Sequence, residues 1–154
     1  MTIRAIVLAA GKGTRMKSST PKVLHELCGR PMLWYTLRAL REAGIDDVIV
    51  VTNDELDPHV AALGARSVIQ REQLGTGHAV KVAVEQIERV AGGRIIVACG
   101  DMPLVPPEIF RTMVGSLEGD GAAAPAMALV TVKMPLPSNF GRIVRSGNDI
   151  ERIV

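Results

Sequence analysis

The stretch that most restricts the fold lies near the N-terminus. An apolar run from Ile3 to Ala9 breaks into Gly11-Lys12-Gly13-Thr14-Arg15-Met16, and a short polar spacer leads on to Pro21-Lys22-Val23-Leu24-His25. The apolar run reads as a buried strand. Where such a strand leaves its sheet into glycines, hydroxyls and cations, an α/β protein brings backbone N–H groups to an anion. Gly11 and Gly13 permit close backbone approach, while Lys12, Thr14 and Arg15 add donors and charge. Glycines alone fit an ordinary strand-to-helix connection equally well. The loop is not a dinucleotide fingerprint, because Met16 stands where a third glycine would be, and no Gly-Lys-Ser/Thr follows to make a Walker A loop.

Charge sharpens this reading. The net charge is only +2, yet five cations (Lys12, Arg15, Lys17, Lys22, Arg30) fall between Gly11 and Arg30 against the single acid Glu26, and the remainder carries 13 cations and 15 acids. A compact basic patch beside glycines suits a small polyanion. A nucleic-acid track would spread its cations along a face with aromatics between them, and aromatics are only 3% of this chain. No apolar run approaches the roughly 18 residues of a membrane span, and no signal peptide is visible. Cys28 and Cys99 lack metal-ligand spacing and read as small core residues of a reduced, cytoplasmic protein. The 154 residues are the size of one domain.

Alternation of elements follows. Leu33, Leu37, Leu40 and Ala43 recur at helical spacing between Pro31 and Gly44. Val48 to Val51 is a continuous β-branched strand; a short helix around His59 to Leu63 and a brief strand from Ser67 to Ile69 complete a βαβαβ order. Gln70 to His78 forms a second glycine-containing turn, with Thr76 as a cap for a helix whose inward face is Val80, Val84, Ile87 and Ala91. Ile95 to Ala98 reads as another buried strand ending in Cys99-Gly100-Asp101-Met102-Pro103, and Pro106 to Val114 as a helix. A further strand is predicted through Met127 to Val132, then strands at Ile143-Val144 and Ile150 to Val154. The expected fold is α/β, with a mostly parallel sheet between helices. The polar turns after Ala9, Ile69 and Ala98 all leave carboxyl ends of strands, so they can face one ligand. Asp101 taken alone reads as a turn or helix-cap aspartate; beside a basic phosphate loop it reads as a ligand for Mg²⁺, which needs few protein carboxylates when phosphates complete its octahedron.

Taken together, Leu8 to Met16, Pro21 to His25, Gln73-Leu74-Gly75-Thr76-Gly77-His78-Ala79, Gly100-Asp101-Met102-Pro103-Leu104 and Phe140-Gly141-Arg142-Ile143 resemble the signature of nucleotidyltransferases that activate sugar phosphates. The resemblance is nearest to the N-terminal uridylyltransferase domain of the bifunctional N-acetylglucosamine-1-phosphate uridylyltransferase (GlmU type) family. It implies a Rossmann-like three-layer α/β/α domain over residues 1–154, incomplete at its C-terminus. The implied reaction is Mg²⁺-dependent transfer of UMP from UTP to N-acetylglucosamine 1-phosphate, yielding pyrophosphate and UDP-N-acetylglucosamine, a cell-wall precursor.

On this resemblance Arg15 and Lys22 neutralise the triphosphate and the developing charge. The backbone from Gly11 through Gly13 to Thr14 cradles phosphates, and Leu8 belongs to the same nucleotide site. Ala9, Ala10, Gln70, Gly75 and Thr76 surround the uracil; Gly100 and Gly141 lie against the sugar; Asp101 holds the metal. Two departures fall on the sugar side: Cys99 stands where relatives usually carry tyrosine, and Leu136-Pro137-Ser138-Asn139 replaces a more polar lead into the Phe-Gly-Arg segment. A further sugar ligand, the second metal ligand and the acetyltransferase β-helix of such relatives lie beyond the position of Val154. Alternatives are a nucleotidyltransferase using another nucleotide or acceptor, such as an isoprenoid-precursor cytidylyltransferase, and a non-catalytic nucleotide-binding module. A terminal strand with an unpaired edge also allows self-association. Among the remaining residues, His25 reads as flap structure, His78 as a locally hydrogen-bonded neutral imidazole, His59 as surface, and Arg38, Arg41 and Arg89 as a solvated face.

Overall fold

A computed structural model describes residues 2–11, 13, 16–87, 93–117, 125–135, 141–147 and 149–154. Four parallel strands form its central sheet: β1 (Ile3–Leu8), β4 (Asp47–Thr52), β5 (Arg66–Ile69) and β6 (Arg94–Cys99), in the spatial order β5-β4-β1-β6. Two short strands, β2 (Glu26–Leu27) and β3 (Arg30–Pro31), make a hairpin between β1 and β4. Its two-residue turn holds Cys28 at φ +49° and Gly29 at φ +76°, the mirror-image turn geometry that matches strand twist. Cys28 is therefore exposed on a turn and not a core residue.

The chain runs from β1 through α1 (Met32–Glu42) to β4 and through α2 (Asp57–Ala62) to β5. It then returns through α3 (Thr76–Glu85) to place β6 on the other side of β1. The order thus reverses at the β1–β6 pair, and a crevice opens at the carboxyl ends of these strands, where Leu8 is in register with Cys99.

The sheet's two faces each carry a core. On one, Ala5, Val7, Val48 and Val50 pack with Leu33, Leu37 and Leu40 of α1, Val60 of α2 and Phe110 of α4 (Pro107–Gly115). On the other, Ile6, Ile49 and Val51 meet Ala79 and Ala83 of α3. This is the three-layer α/β/α arrangement, and it arises because the central strands β1 and β4 are apolar at consecutive positions and must be covered on both sides. Small residues form the buried contact of α3, whereas Val80, Val84 and Ile87 are only partly buried. Val80, Val84 and Ile87 nonetheless pack against this core, so the predicted face does turn inward with Ala79 and Ala83 as its most buried part; Ala91 lies outside the described residues.

Three further expectations change. Strand β6 is not buried on both faces: its residues alternate in exposure, with Ile95 at 43% and Val97 at 44%, because among the described residues it pairs only with β1. No strand forms over Met127 to Val132. Ala126 to Val130 instead border an apolar groove of about 440 Å³ against β6 and α4, without ladder pairing. Strands β7 (Ile143–Ser146) and β8 (Asp149–Ile153) form, but as a separate antiparallel hairpin. Arg41 is more than a solvated cation, since its guanidinium donates to the carbonyls of Leu63 and Gly64 beyond the end of α2.

Candidate active site

A cavity of about 440 Å³ occupies the crevice. The end of β1 contributes Leu8, Ala9, Ala10 and Gly11, the β5–α3 turn contributes Gln70, Gly75 and Thr76, and the end of β6 contributes Cys99 and Asp101; Gly13 and Lys22 close the loop side. The predicted nucleotide-binding residues among the described ones are thus gathered round a single space, as is the predicted metal ligand. Arg15 and Thr14, with Lys12, lie outside the described residues.

Lys22 starts a single turn of 3-10 helix, Lys22–Leu24, anchored by the buried Val23. Its Nζ donates to Asp101 Oδ2 at 2.6 Å, across 79 positions of sequence. Gly13 sets up this approach: its φ of +57° is left-handed, and a Cβ there would lie 2.9 Å from Lys22 Cβ. Glycine at this position lets the loop lie against Lys22, while Gly11 has open space around it. Asp101 follows directly on Gly100, whose N–H donates to Leu8 O at 2.9 Å and prolongs the β1–β6 pairing by one step. A side chain at Gly100 would crowd Leu33, Leu8 O and Val23 at 3.2–3.4 Å. Gly100 therefore packs beneath the site, and it is not among the cavity-lining residues. Gly141 does not line the cavity either; it sits at the open end of the β7–β8 hairpin, where a Cβ would lie 3.0 Å from Ile153 Cγ2.

The opposite wall is built from two glutamines. Gln70 is 5% exposed, and its backbone N–H donates to Thr52 O at 2.8 Å. Its side-chain Nε2 lies 3.2 Å from Gly75 O and 3.0 Å from His78 Nδ1. Gln73 Nε2 donates to Ala10 O at 3.0 Å, fastening the second glycine turn to the first loop. Periodicity gave no hint of this latch; the only sequence signal was a second amide three residues after the first. Gly75, at φ +97°, is the N-cap of α3, so Thr76 is the first helical residue and not the cap. A left-handed φ with open space around it favours glycine on backbone grounds alone.

Cys99 also lines the cavity. Burial pushes its thiol up from the ordinary cysteine value, the Asp101 carboxylate pushes it further, and the Lys22 ammonium opposes them. His25 makes backbone hydrogen bonds with Lys22 and Met32, consistent with a part in holding the flap, and its buried Nε2 has no partner among the described residues. His59 is exposed. Among the described residues no cluster of three or more His, Cys, Asp or Glu is placed to hold a metal, so Asp101 stands as a single carboxylate at the cavity. No helix among them is long and apolar enough to cross a membrane.

Known proteins resemble this chain in sequence and in fold. The bifunctional protein GlmU of Trichlorobacter lovleyi is 43% identical over 155 residues, an alignment covering 97% of this chain and 33% of that protein. The chain spans about a third of the length of the curated relatives it matches. A nucleotidyl transferase from Methanothermobacter thermautotroptrophicus superimposes with a TM-score of 0.63 at 26% identity, covering 77% of this chain and 59% of that one. Rv0371c of Mycobacterium tuberculosis, in complex with manganese, superimposes with a TM-score of 0.59 at 28% identity, covering 75% and 59% respectively. The sequence profile of the MobA-like NTP transferase domain matches residues 5–138, taking in the glycine loop, Lys22, the two-glutamine wall and Asp101 alike, and on that match the chain belongs to the MobA-like NTP transferase domain family.

Proposed function

We propose that this domain transfers UMP from UTP to N-acetylglucosamine 1-phosphate, releasing pyrophosphate and UDP-N-acetylglucosamine. The observation that carries the reading is the Lys22–Asp101 ion pair at the carboxyl ends of β1 and β6, facing a glycine loop and an amide-bearing wall across one cavity. The similarity to GlmU proteins supports uridylyl transfer in particular.

In this reaction a phosphate oxygen of the sugar 1-phosphate attacks the α-phosphorus of UTP; the new O–P bond forms as the α–β anhydride bond breaks, and pyrophosphate takes the electron pair. The nucleophile is already anionic, so the protein's task is positioning and charge stabilisation. Lys22 binds phosphate oxygens, and the loop from Gly11 to Thr14 offers N–H groups, with Arg15 adding positive charge. Gln70, Gly75, Thr76, Ala9 and Ala10 take the base, while Leu8 forms the floor. The sugar contacts expected of Gly100 and Gly141 lie outside this cavity, which neither residue lines.

The site fits a divalent cation: Asp101 supplies a hard oxygen donor at the cavity, and Mg²⁺ is typically held by one or two carboxylates together with substrate phosphates. The manganese complex of Rv0371c is in keeping with this. When bound, Mg²⁺ supplies Lewis-acid neutralisation of the phosphoryl oxygens. Without nucleotide, Lys22 and Asp101 neutralise one another; with it, each has a partner of opposite charge in the substrate complex.

The test is pyrophosphate release by the 154-residue chain from UTP, N-acetylglucosamine 1-phosphate and Mg²⁺. Turnover is expected, with Lys22→Ala and Asp101→Asn each lowering it by roughly 10²-fold or more. Turnover only with CTP or GTP overturns the substrate assignment, and UTP binding without turnover favours a nucleotide-binding module.

A further inference from the structure

The Gln70 amide has its orientation set by chemistry. A backbone carbonyl only accepts hydrogen bonds, so the side-chain atom 3.2 Å from Gly75 O is the NH₂ nitrogen. That same nitrogen lies 3.0 Å from His78 Nδ1, which must then accept its second hydrogen. In this arrangement Nδ1 of His78 accepts, which places the ring proton on Nε2. Both amide hydrogens are spent on the protein. Oε1 makes no hydrogen bond to a described residue, and it is not sealed from solvent. Since Gln70 is nearly buried and lines the cavity, the one polar atom it has left to offer is an acceptor at the cavity wall.

We infer that His78 is a positioning residue that determines base specificity: by holding the Gln70 amide with Nε2 turned inward, it leaves Gln70 presenting only an acceptor to the cavity. Resting on the uridylyl reading above, this matches the N3–H donor of uracil and repels the N3 lone pair of cytosine. Loss of the Nδ1 acceptor leaves one amide hydrogen unpaired and frees the amide to turn, so that NH₂ as well as C=O meets the base. A site that hydrogen-bonds a specific donor rejects the analogue lacking it more sharply than an apolar wall does.

Long-range ¹H–¹⁵N spectra of the 154-residue chain, at a pH well above the imidazole range, read the tautomer without nucleotide. The expected result is His78 protonated on Nε2 with Nδ1 bare; a proton on Nδ1 overturns the inference whatever nucleotide is bound. Calorimetric titration with UTP and with CTP then compares the wild type with His78→Leu and His78→Asn. His78→Leu is expected to lower the ratio of UTP to CTP affinity roughly tenfold, whereas His78→Asn, whose Oδ1 falls near the place of Nδ1, retains it. Equal weakening of both nucleotides by His78→Leu, with the ratio unchanged, would mean that the residue only supports the helix, and it overturns the proposal. A wild type that prefers CTP while keeping the Nε2–H tautomer sinks the uridylyl reading and the inference with it, because an acceptor facing the base cannot favour the cytosine N3 lone pair; a wild type that prefers UTP with a ratio unmoved by His78→Leu sinks the inference alone.

Discussion

Cys99 shows how a neighbour changes what a residue is. From the sequence it is a small apolar filler before Gly-Asp; in the fold it lies at the cavity two positions from Asp101, and its thiol is held up by burial and by that carboxylate. A raised pKa leaves less thiolate at any given pH, so alkylation of Cys99 should rise with pH later than that of an ordinary thiol. Both cysteines are exposed, so iodoacetamide labelling followed by peptide mass spectrometry should reach both, with Cys99 slowed by its raised thiol. Asp101→Asn removes one of the two raising causes and should speed labelling of Cys99. Equal rates at the two cysteines in the wild type would contradict this picture. Gly13 is a similar case: its glycine character was read as room for a phosphate, and the structure adds a left-handed φ and the close approach of Lys22.

Between elements, the decisive contacts are side-chain bonds that join one turn to another. Gln73 reaches from the β5–α3 turn to Ala10 O and so couples the base wall to the phosphate loop. Replacing it with alanine forfeits one hydrogen bond, a net loss of about 0.5–1.5 kcal/mol. Because both partners sit on turns, the effect should be local: faster amide exchange across residues 71–75 and weaker nucleotide binding, with the thermal midpoint lowered by only a few degrees. A global loss of exchange protection in Gln73→Ala would show that the latch supports the core instead. The helices, by contrast, owe little to caps, since no side-chain cap hydrogen bond is present at the start of α1, α3 or α4. The burial of Leu33, Leu37 and Leu40 against the sheet holds α1 in place.

At the scale of the molecule, the sheet formed by the described residues is covered on its central strands and ends in two edges, β5 and β6. Strand β6 pairs only with β1 among the described residues, and Ile95 and Val97 stand beside an apolar groove. Such an edge is prone to association. Val97→Lys should raise the concentration at which light scattering detects association; an unchanged onset would place the association-prone surface elsewhere. The same strand marks where sequence reading stopped. Apolar runs, the helical spacing of Leu33, Leu37 and Leu40, and the glycine and proline punctuation are local properties. They sufficed for the βαβαβ order, the parallel three-layer fold and the clustering of three polar turns at strand ends. Whether an apolar strand is central or peripheral depends on its neighbours, so Ile95 to Ala98 looked as buried as Val48 to Val51 and is not. The predicted strand over Met127 to Val132 failed for the same reason: β propensity does not supply a partner. The pairing of Lys22 with Asp101 across 79 positions, and the direction in which the Gln70 amide faces, were decided by tertiary structure alone, because both are set by atoms brought together only when β6 and α3 pack around β1.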